Sequence, residues 1–154
     1  MIRKMNWKDK DEVISMMRGF YQSPAVHTNG SEEIFLADVE NCINECPYLE
    51  GFVFEEDGRI EGYGMIAKSF STEFGKPCIW IEDIFIKEEY RSKGISPRFF
   101  NMLEELYPEH LFRIEAEEEN ERAVHVYRKW GFEPLPYFEL VKNNSENQKY
   151  KESE

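Results

Sequence analysis

The alternation of apolar and polar residues along the chain predicts a mixture of helices and strands. Apolar residues recur every three or four positions in four stretches, which is the spacing of amphipathic helices. Shorter apolar runs bounded by turn-forming residues lie between these stretches, as is typical of strands. The pattern therefore predicts the order strand, two helices, three strands, helix, strand, helix and one or two final strands.

Local signals set the boundaries of these predicted elements. Ser31 and Asn120 each precede an amphipathic stretch and are good N-caps. Ser96 followed by Pro97 predicts an N-cap and a first helical residue, with a third helix over 97–107. The predicted strands cover 2–7, 49–55, 60–69, 78–86, 112–117 and 132–141.

Two acidic residues interrupt the most apolar of these strands. Glu82 and Asp83 lie between I-W-I and I-F-I in the strand over 78–86, whose composition is typical of a strand buried on both faces. Because neighbours on a strand point to opposite faces, we expect one carboxylate in a cleft and the other in the opposite layer. Partial burial raises the pKa of a carboxyl group, which suits a general base. Simple pairing with Arg59 or Arg113 is the alternative.

A short basic loop connects this strand to the third predicted helix. The helix N-terminus has unpaired N–H groups and the positive end of the helix dipole, a combination that binds anions. Glycine in the loop allows a positive φ or a close approach of the backbone. Neither G-x-x-x-x-G-K-[ST] nor G-x-G-x-x-G is present, which disfavours P-loop and Rossmann sites. An ordinary strand-to-helix turn is the alternative. The loop consists of Arg91, Ser92, Lys93, Gly94, Ile95 and Ser96.

The pattern R-x-x-G-x-S resembles the pyrophosphate loop of the GNAT acyltransferase superfamily, usually described as Q/R-x-x-G-x-G/A. The preceding I-E-D-I-F-I is similar to the same family. So is E-N-E-R-A-V-H-V-Y-R-K-W-G-F, in which an Asn opens a helix and a Tyr follows about two turns later. These matches cover roughly residues 78–132. Ser96 departs from the usual Gly or Ala, and its hydroxymethyl group can crowd a phosphate or donate a hydrogen bond to it.

The resemblance implies an α/β fold of the α+β type, with a mixed, mostly antiparallel sheet of six to seven strands flanked by about four helices. In that fold the fourth and fifth strands splay apart. The pantetheine arm of coenzyme A then pairs with the exposed backbone of the fourth strand, here Ile84, Phe85 and Ile86. Acetyl-CoA is the implied cosubstrate, held also by loop 91–96 and Asn120. A backbone N–H of Phe85 or Ile84 would activate the thioester carbonyl.

The resemblance also implies roles for individual side chains. A similar Glu-Asp pair occurs in polyamine acetyltransferases of the superfamily, so we assign Glu82 as a base acting through water. Asp83 is assigned to substrate binding or structure. Tyr21 is assigned to substrate binding on a different ground, because an aromatic residue in the expected acceptor groove suits an amine or a basic peptide. Tyr127 is assigned as the acid that protonates the departing thiolate and as a cofactor contact. The alternative for Tyr127 is a core aromatic packed beside Trp130. No Ser-His-Asp or Cys-His arrangement is visible, so we expect direct attack in a ternary complex.

Composition narrows the class of protein further. At 154 residues we expect one domain over 1–142, followed by a polar, disordered tail over 143–154. The sequence shows neither an apolar membrane span nor a signal peptide, so a cytoplasmic protein is expected. A net charge of −12 disfavours nucleic-acid binding and is compatible with a cationic substrate. The three cysteines and three histidines form no metal-ligand pattern.

The acceptor and the partners stay open at this point. A small-molecule amine, a protein N-terminus and a lysine of a protein partner are all compatible with the expected acceptor groove. This groove would be built by the first two helices, by residues 23–30 and by the loop after the sixth predicted strand. A non-catalytic module that binds acyl-CoA is a further alternative, and a homodimer is compatible with the sequence.

Overall fold

The computed structural model describes residues 1–144 and arranges five strands in one sheet between two layers of helices. The strands lie in chain order across the sheet, antiparallel except for the last pair, which is parallel. This mixed, mostly antiparallel sheet confirms the predicted fold class. The strands are β1 (Ile2–Lys4), β2 (Leu49–Glu56), β3 (Arg59–Ser71), β4 (Lys76–Ile86) and β5 (Leu111–Ile114).

In residues 1–144, four α-helices cover the two faces of the sheet. The Ser31 hydroxyl accepts a hydrogen bond from the N–H of Ile34 at 3.2 Å, and the Asn120 side chain accepts one from Ala123 at 3.3 Å. Both predicted N-caps are therefore confirmed. The helices are α1 (Lys10–Gln22), α2 (Glu32–Ile43), α3 (Ile95–Leu106) and α4 (Glu121–Lys129).

The sheet separates two hydrophobic cores, because successive side chains of a strand point to opposite faces. The α1/α2 face buries a cluster that includes Val13, Met17, Phe35, Val39, Tyr63 and Met65. The α3/α4 face buries a second cluster that includes Phe52, Phe54, Ile66, Ile79, Ile81, Phe99 and Leu103.

Residues 132–144 follow α4 without regular secondary structure. The described part of the chain therefore has five strands where six or seven were expected, and the strand predicted over 132–141 is absent from it. Pro134 and Pro136 contribute to this difference, since proline has no N–H to donate to a ladder. Most of the predicted tail, from residue 145 onward, lies outside the described residues.

Candidate active site

A β-bulge shapes β4 at Glu82. Asp83 pairs with Met65 and Ile81 pairs with Ile66, so Glu82 has no partner on β3. A bulge adds one residue to a strand and shifts the alternation of the side chains that follow it. Ile81 accordingly packs on the α3/α4 face, whereas Asp83, two residues later, lies on the α1/α2 face.

Asp83 is the more deeply buried of the two carboxylates. Its side chain accepts a hydrogen bond from the Tyr63 hydroxyl at 2.8 Å, and the residue is only 6% exposed. Burial raises the pKa of Asp83 to about 7, with a further contribution from the charges of Asp38 and Glu82 and an opposing one from the Tyr63 hydrogen bond.

Glu82 reaches the same face of the sheet. Partial desolvation raises its pKa, and the nearby Glu139 adds to the effect. Its own charge, second to burial, helps raise the pKa of Asp38 on α2 to about 6. The expectation that Glu82 and Asp83 serve opposite layers is therefore wrong, because the bulge places both beside α1 and α2.

Further carboxylates complete an acidic cluster, defined as Asp38, Glu82, Asp83, Glu115 and Glu139. Glu115 follows β5, and its pKa is raised to about 7 by partial desolvation, by a hydrogen bond with Glu139 and by the charge of Glu82. Tyr21 of α1 borders the cluster. Burial, followed by the charges of Asp83, Asp38 and Glu82, raises the pKa of its phenol.

Sequence reasoning missed three members of this cluster. Asp38 could have been identified from helical spacing. It lies three residues after Phe35 and four before Cys42, which places it on the buried face of α2. Glu115 belongs to the run E-A-E-E-E-N-E, whose composition indicates a solvated edge. Glu139 lies in a segment predicted as a strand. The convergence of these residues depends on tertiary structure.

A gap in the sheet lies directly beside the bulge. β5 pairs with β4 only from Cys78↔Leu111 to Ile81↔Ile114, and β4 continues to Ile86. Within residues 1–144 the outer edge of β4 after Ile81 therefore has no strand partner. The predicted backbone-pairing residues Ile84, Phe85 and Ile86 all lie on this open edge.

The basic loop ends at a helix that starts earlier than predicted. α3 begins at Ile95, and its N-cap is Gly94 with φ 80°. Ser96 is therefore inside the first turn, and its prediction as the N-cap is wrong, because the positive φ of Gly94 turns the chain into the helix two residues sooner. No side chain in the described part of the chain caps this turn. Pro97 has no N–H, so the N–H groups of Ile95 and Ser96 are the donors left for an anion.

Cationic residues lie in this loop and on the neighbouring helix α4. Arg91, Ser92 and Lys93 are exposed, and the Arg91 Nε donates to the Ile86 carbonyl at 2.9 Å. Arg122 of α4 donates from Nη2 to the Ser92 hydroxyl at 2.7 Å. This bond links the loop to α4, and Arg122 was not identified from the sequence.

Tyr127 lies on the α3/α4 face, across the sheet from the acidic cluster. Its ring centroid is 6.2 Å from that of Phe100 and 6.1 Å from that of Phe132. Burial raises the pKa of its phenol, so the hydroxyl stays protonated at neutral pH. Tyr127 and Asn120 lie on this side of the sheet, and Glu82, Asp83 and Tyr21 lie on the other side. The open edge of β4 borders both sides.

The structure was also searched for metal-binding groups and for membrane-spanning helices. In the described ranges, no group of three or more His, Cys, Asp or Glu side chains is arranged to hold a metal ion. Within residues 1–144, no helix combines the length and the apolar character needed to cross a bilayer.

Comparison with known proteins identifies the family. The model of the Acetyltransferase (GNAT) family matches residues 11–132. Thialysine N-epsilon-acetyltransferase from Bos taurus is 27% identical over 148 residues, covering 88% of this chain and 85% of the relative. Spermine/spermidine N(1)-acetyltransferase from Bacillus subtilis (strain 168) is 21% identical over 117 residues, covering 70% of this chain and 77% of the relative.

Solved structures show the same fold. A possible acetyltransferase from Clostridium difficile 630 superimposes with a TM-score of 0.78 at 17% identity, covering 93% of this chain and 96% of that chain. An aminoglycoside N-acetyltransferase in complex with CoA superimposes with a TM-score of 0.74 at 17% identity, covering 94% of this chain and 95% of that chain.

Proposed function

The chain belongs to the GNAT family of acetyltransferases, and from this we propose that it transfers the acetyl group of acetyl-CoA to a primary amine of a small cationic acceptor. The acidic cluster is the observation that carries the choice of acceptor. Three of its five carboxyl groups have a pKa raised to about 6 or 7, partly by one another's charge. An ammonium group bound among them relieves this repulsion.

The fit of acetyl-CoA to this chain is supported by two features on the α3/α4 side. The open edge of β4 offers the backbone of Ile84, Phe85 and Ile86 to an extended chain, which is how strand addition gives affinity without particular side chains. The N–H groups at the uncapped start of α3 and the positive charges of loop 91–96 can bind the phosphate groups of acetyl-CoA. When bound, the cosubstrate supplies an activated acyl thioester. CoA is bound in the solved structure of the aminoglycoside N-acetyltransferase that has a similar fold.

Glu82 acts as the general base in this proposal. An ammonium group is not nucleophilic, so one proton must leave the acceptor before its nitrogen attacks the thioester carbonyl. The raised pKa of Glu82 brings the carboxylate closer to the operating pH, where a base is most effective. Its position at the bulge, beside the open edge of β4, allows a water molecule to carry that proton to it.

Tyr127 acts as the general acid. Its partly buried phenol stays protonated, and it donates that proton to the thiolate that leaves when the C–S bond breaks. A thiol with a pKa of about 8.5 needs only modest help. The phenol regains a proton from the acetylated nitrogen, so each turnover releases one proton overall.

Asp83 and Tyr21 complete the acceptor site. Asp83 is buried and accepts a hydrogen bond from Tyr63, so it acts on the acceptor through its negative charge more than through direct contact. Tyr21 gives the site an aromatic wall that packs on Phe35, with 5.0 Å between ring centroids. An aromatic surface beside carboxylates suits a cationic amine with an aliphatic chain.

A panel of amines tests this function. Purified protein is mixed with acetyl-CoA and with monoamines, diamines, polyamines, aminoglycosides, thialysine and peptides bearing a free N-terminus or a lysine, and the released thiol is measured. We expect the highest kcat/KM for small acceptors with two or more positive charges. We also expect KM for them to fall between pH 6 and 8, as Asp38, Asp83 and Glu115 lose their protons.

The panel also separates the alternatives. Preference for a peptide would identify a protein-modifying enzyme, a function carried by a putative ribosomal-protein alanine N-acetyltransferase from Bacillus subtilis that is 27% identical over 144 residues. Acetyl-CoA binding without turnover of any acceptor would identify a binding module. Equal activity toward neutral and cationic amines would contradict the role given to the acidic cluster.

A further inference from the structure

Tyr63 of β3 places a hydroxyl group in the aromatic layer between α1 and the sheet. The residue is 0% exposed, and its ring centroid lies 6.4 Å from that of Phe20 and 6.1 Å from that of Phe85. A phenylalanine would fill nearly the same volume. Burying a hydroxyl group costs free energy unless it has a hydrogen-bond partner, so packing alone does not explain a tyrosine at this position.

The register of the sheet places this hydroxyl group beside Asp83. Tyr63 pairs with Phe85 on β4 and Asp83 pairs with Met65, so Tyr63 and Asp83 are diagonal neighbours on the α1/α2 face. The Tyr63 hydroxyl donates to Oδ2 of Asp83 at 2.8 Å. Burial and the charge of Asp83 raise the pKa of Tyr63, so the phenol keeps its proton and acts as the donor.

Asp83 has no cationic partner to balance its charge. Among the residues that the structure describes, no lysine, arginine or histidine forms an ion pair with Asp38, Glu82 or Asp83. The titratable groups that interact with Asp83 are all neutral or negative: Tyr21 of α1, Asp38 and Cys42 of α2, Tyr63 of β3 and Glu82 of β4.

The hydrogen bond from Tyr63 therefore has a particular effect on Asp83. Burial raises the pKa of Asp83 to about 7, and the charges of Asp38 and Glu82 raise it further, whereas the Tyr63 hydrogen bond lowers it. A donor to a carboxylate stabilises the charged form. Without this donor, burial and the neighbouring charges would leave Asp83 neutral at neutral pH.

We propose that Tyr63 is a positioning residue for acceptor binding, which holds the buried Asp83 in its charged form so that Asp83 attracts the ammonium group of the acceptor. This inference rests on the proposed function, in which the acceptor is a cationic amine. Tyr63 acts through Asp83 and does not contact the reacting atoms, so its loss should change KM for the acceptor more than kcat.

Tyr63→Phe removes the hydroxyl group and keeps the ring. Asp83 should then lose its proton at a pH about one to two units higher, the equivalent of one hydrogen bond to a charged group. At pH 7 most molecules of this variant would carry a neutral Asp83, so KM for a cationic acceptor should rise. KM should fall back toward the wild-type value at higher pH.

The test follows Asp83 itself and the acceptor in the full chain. NMR titration of the side-chain carboxyl groups gives the ionisation of Asp83, whose signal is assigned by its loss in Asp83→Asn. Released thiol gives KM and kcat for spermidine at each pH. Tyr107→Phe is the matched control, because its hydroxyl also donates to a carboxylate, Glu50, at 2.6 Å, but lies on the α3/α4 side.

We expect Tyr63→Phe to move both the Asp83 titration and the KM profile to higher pH, and Tyr107→Phe to move neither. Tyr63→Phe should have no further effect on KM in an Asp83→Asn background, because the two residues act as one unit. A purely structural role of Tyr63 would instead lower stability in both backgrounds and leave the pH profiles in place.

Three results would overturn the inference. An unchanged Asp83 titration in folded Tyr63→Phe would do so whatever the substrate is, since this measurement needs no acceptor. A moved titration with an unchanged KM profile would exclude Asp83 from acceptor binding. An unchanged KM for spermidine in Asp83→Asn at pH 8 would give the same answer without any change at Tyr63. Failure of the proposed function is separate, because the wild type would then acetylate no cationic amine of the panel.

Discussion

Valine in place of Gly94 separates the binding role of the basic loop from its folding role. Gly94 has φ 80°, and a Cβ added there would meet no atom within 4 Å. The cost to the folded protein therefore comes only from the backbone conformation. Gly75, in the turn between β3 and β4, has φ 64° and equally open surroundings, so Gly75→Val is a matched control.

The two variants should lose similar stability. A left-handed conformation costs a residue with a Cβ roughly 1–2 kcal/mol. For a chain of this size each kcal/mol shifts the melting temperature by about 2–4 °C, so both variants should melt roughly 2–8 °C below the wild type. Their response to acetyl-CoA should differ, because only the side chain at position 94 stands beside the N–H groups of Ile95 and Ser96.

Thermal unfolding with and without acetyl-CoA measures this difference. Ligand at 100 times its dissociation constant stabilises the native state by about 2.7 kcal/mol. The wild type and Gly75→Val should therefore each gain roughly 5–11 °C. Gly94→Val should gain much less at the same ligand concentration.

The reasoning fails if folded Gly94→Val gains as much as Gly75→Val. The phosphates would then bind elsewhere, and the uncapped start of α3 would be an ordinary helix end. No gain in the wild type at millimolar acetyl-CoA would count against the cofactor itself.

Four further substitutions test the other parts of the site. Glu82→Gln should lower turnover by about 10²–10⁴-fold with unchanged acetyl-CoA affinity and should remove the acidic limb of the pH–rate profile; near-normal turnover at neutral pH would place the base elsewhere. Tyr127→Phe should lower turnover at a nearly constant melting temperature, whereas an unimpaired enzyme would leave Tyr127 as a packing residue. Asp83 has a pKa of about 7 when folded and ~3.9 when unfolded, so its contribution to stability is complete below pH 4 and is lost as the pH rises to 7. The stability gained by Asp83→Asn in urea unfolding should therefore grow from pH 4 to pH 8, and a difference independent of pH would contradict the burial of this charge. Arg122→Gln should weaken acetyl-CoA binding and reduce its salt dependence relative to the control Arg128→Gln, and equal affinities would limit Arg122 to holding Ser92.

Local chemistry made much of the fold predictable. Ser31 and Asn120 cap their helices as expected, because capping depends on one side chain and the turn that follows it. The hydrophobic periods located four helices and the strands β1 to β5. The basic loop 91–96 was also predictable, because a glycine with cationic residues just before a helix is a pattern local in the sequence.

The rest of the site depends on register and tertiary contacts. Nothing in I-W-I-E-D-I-F-I distinguishes a regular strand from one with a bulge, because the difference lies in how β3 pairs with it. Asp38, Glu115 and Glu139 come from three separate parts of the chain, and the pKa values of Asp38 and Glu115 are raised only because folding buries them beside other carboxylates. Ser96 was misplaced because the αL conformation at Gly94 offered the helix an earlier start.

The bulge at Glu82 makes this residue an insertion in the sheet. Without it, Ile81 and Asp83 would be adjacent, still opposite Ile66 and Met65, and still on the faces that they occupy now. The ladder is therefore complete without Glu82. The pairing of β3 with β4 therefore does not depend on which side chain occupies position 82, so the chemistry at this position can vary on the same sheet.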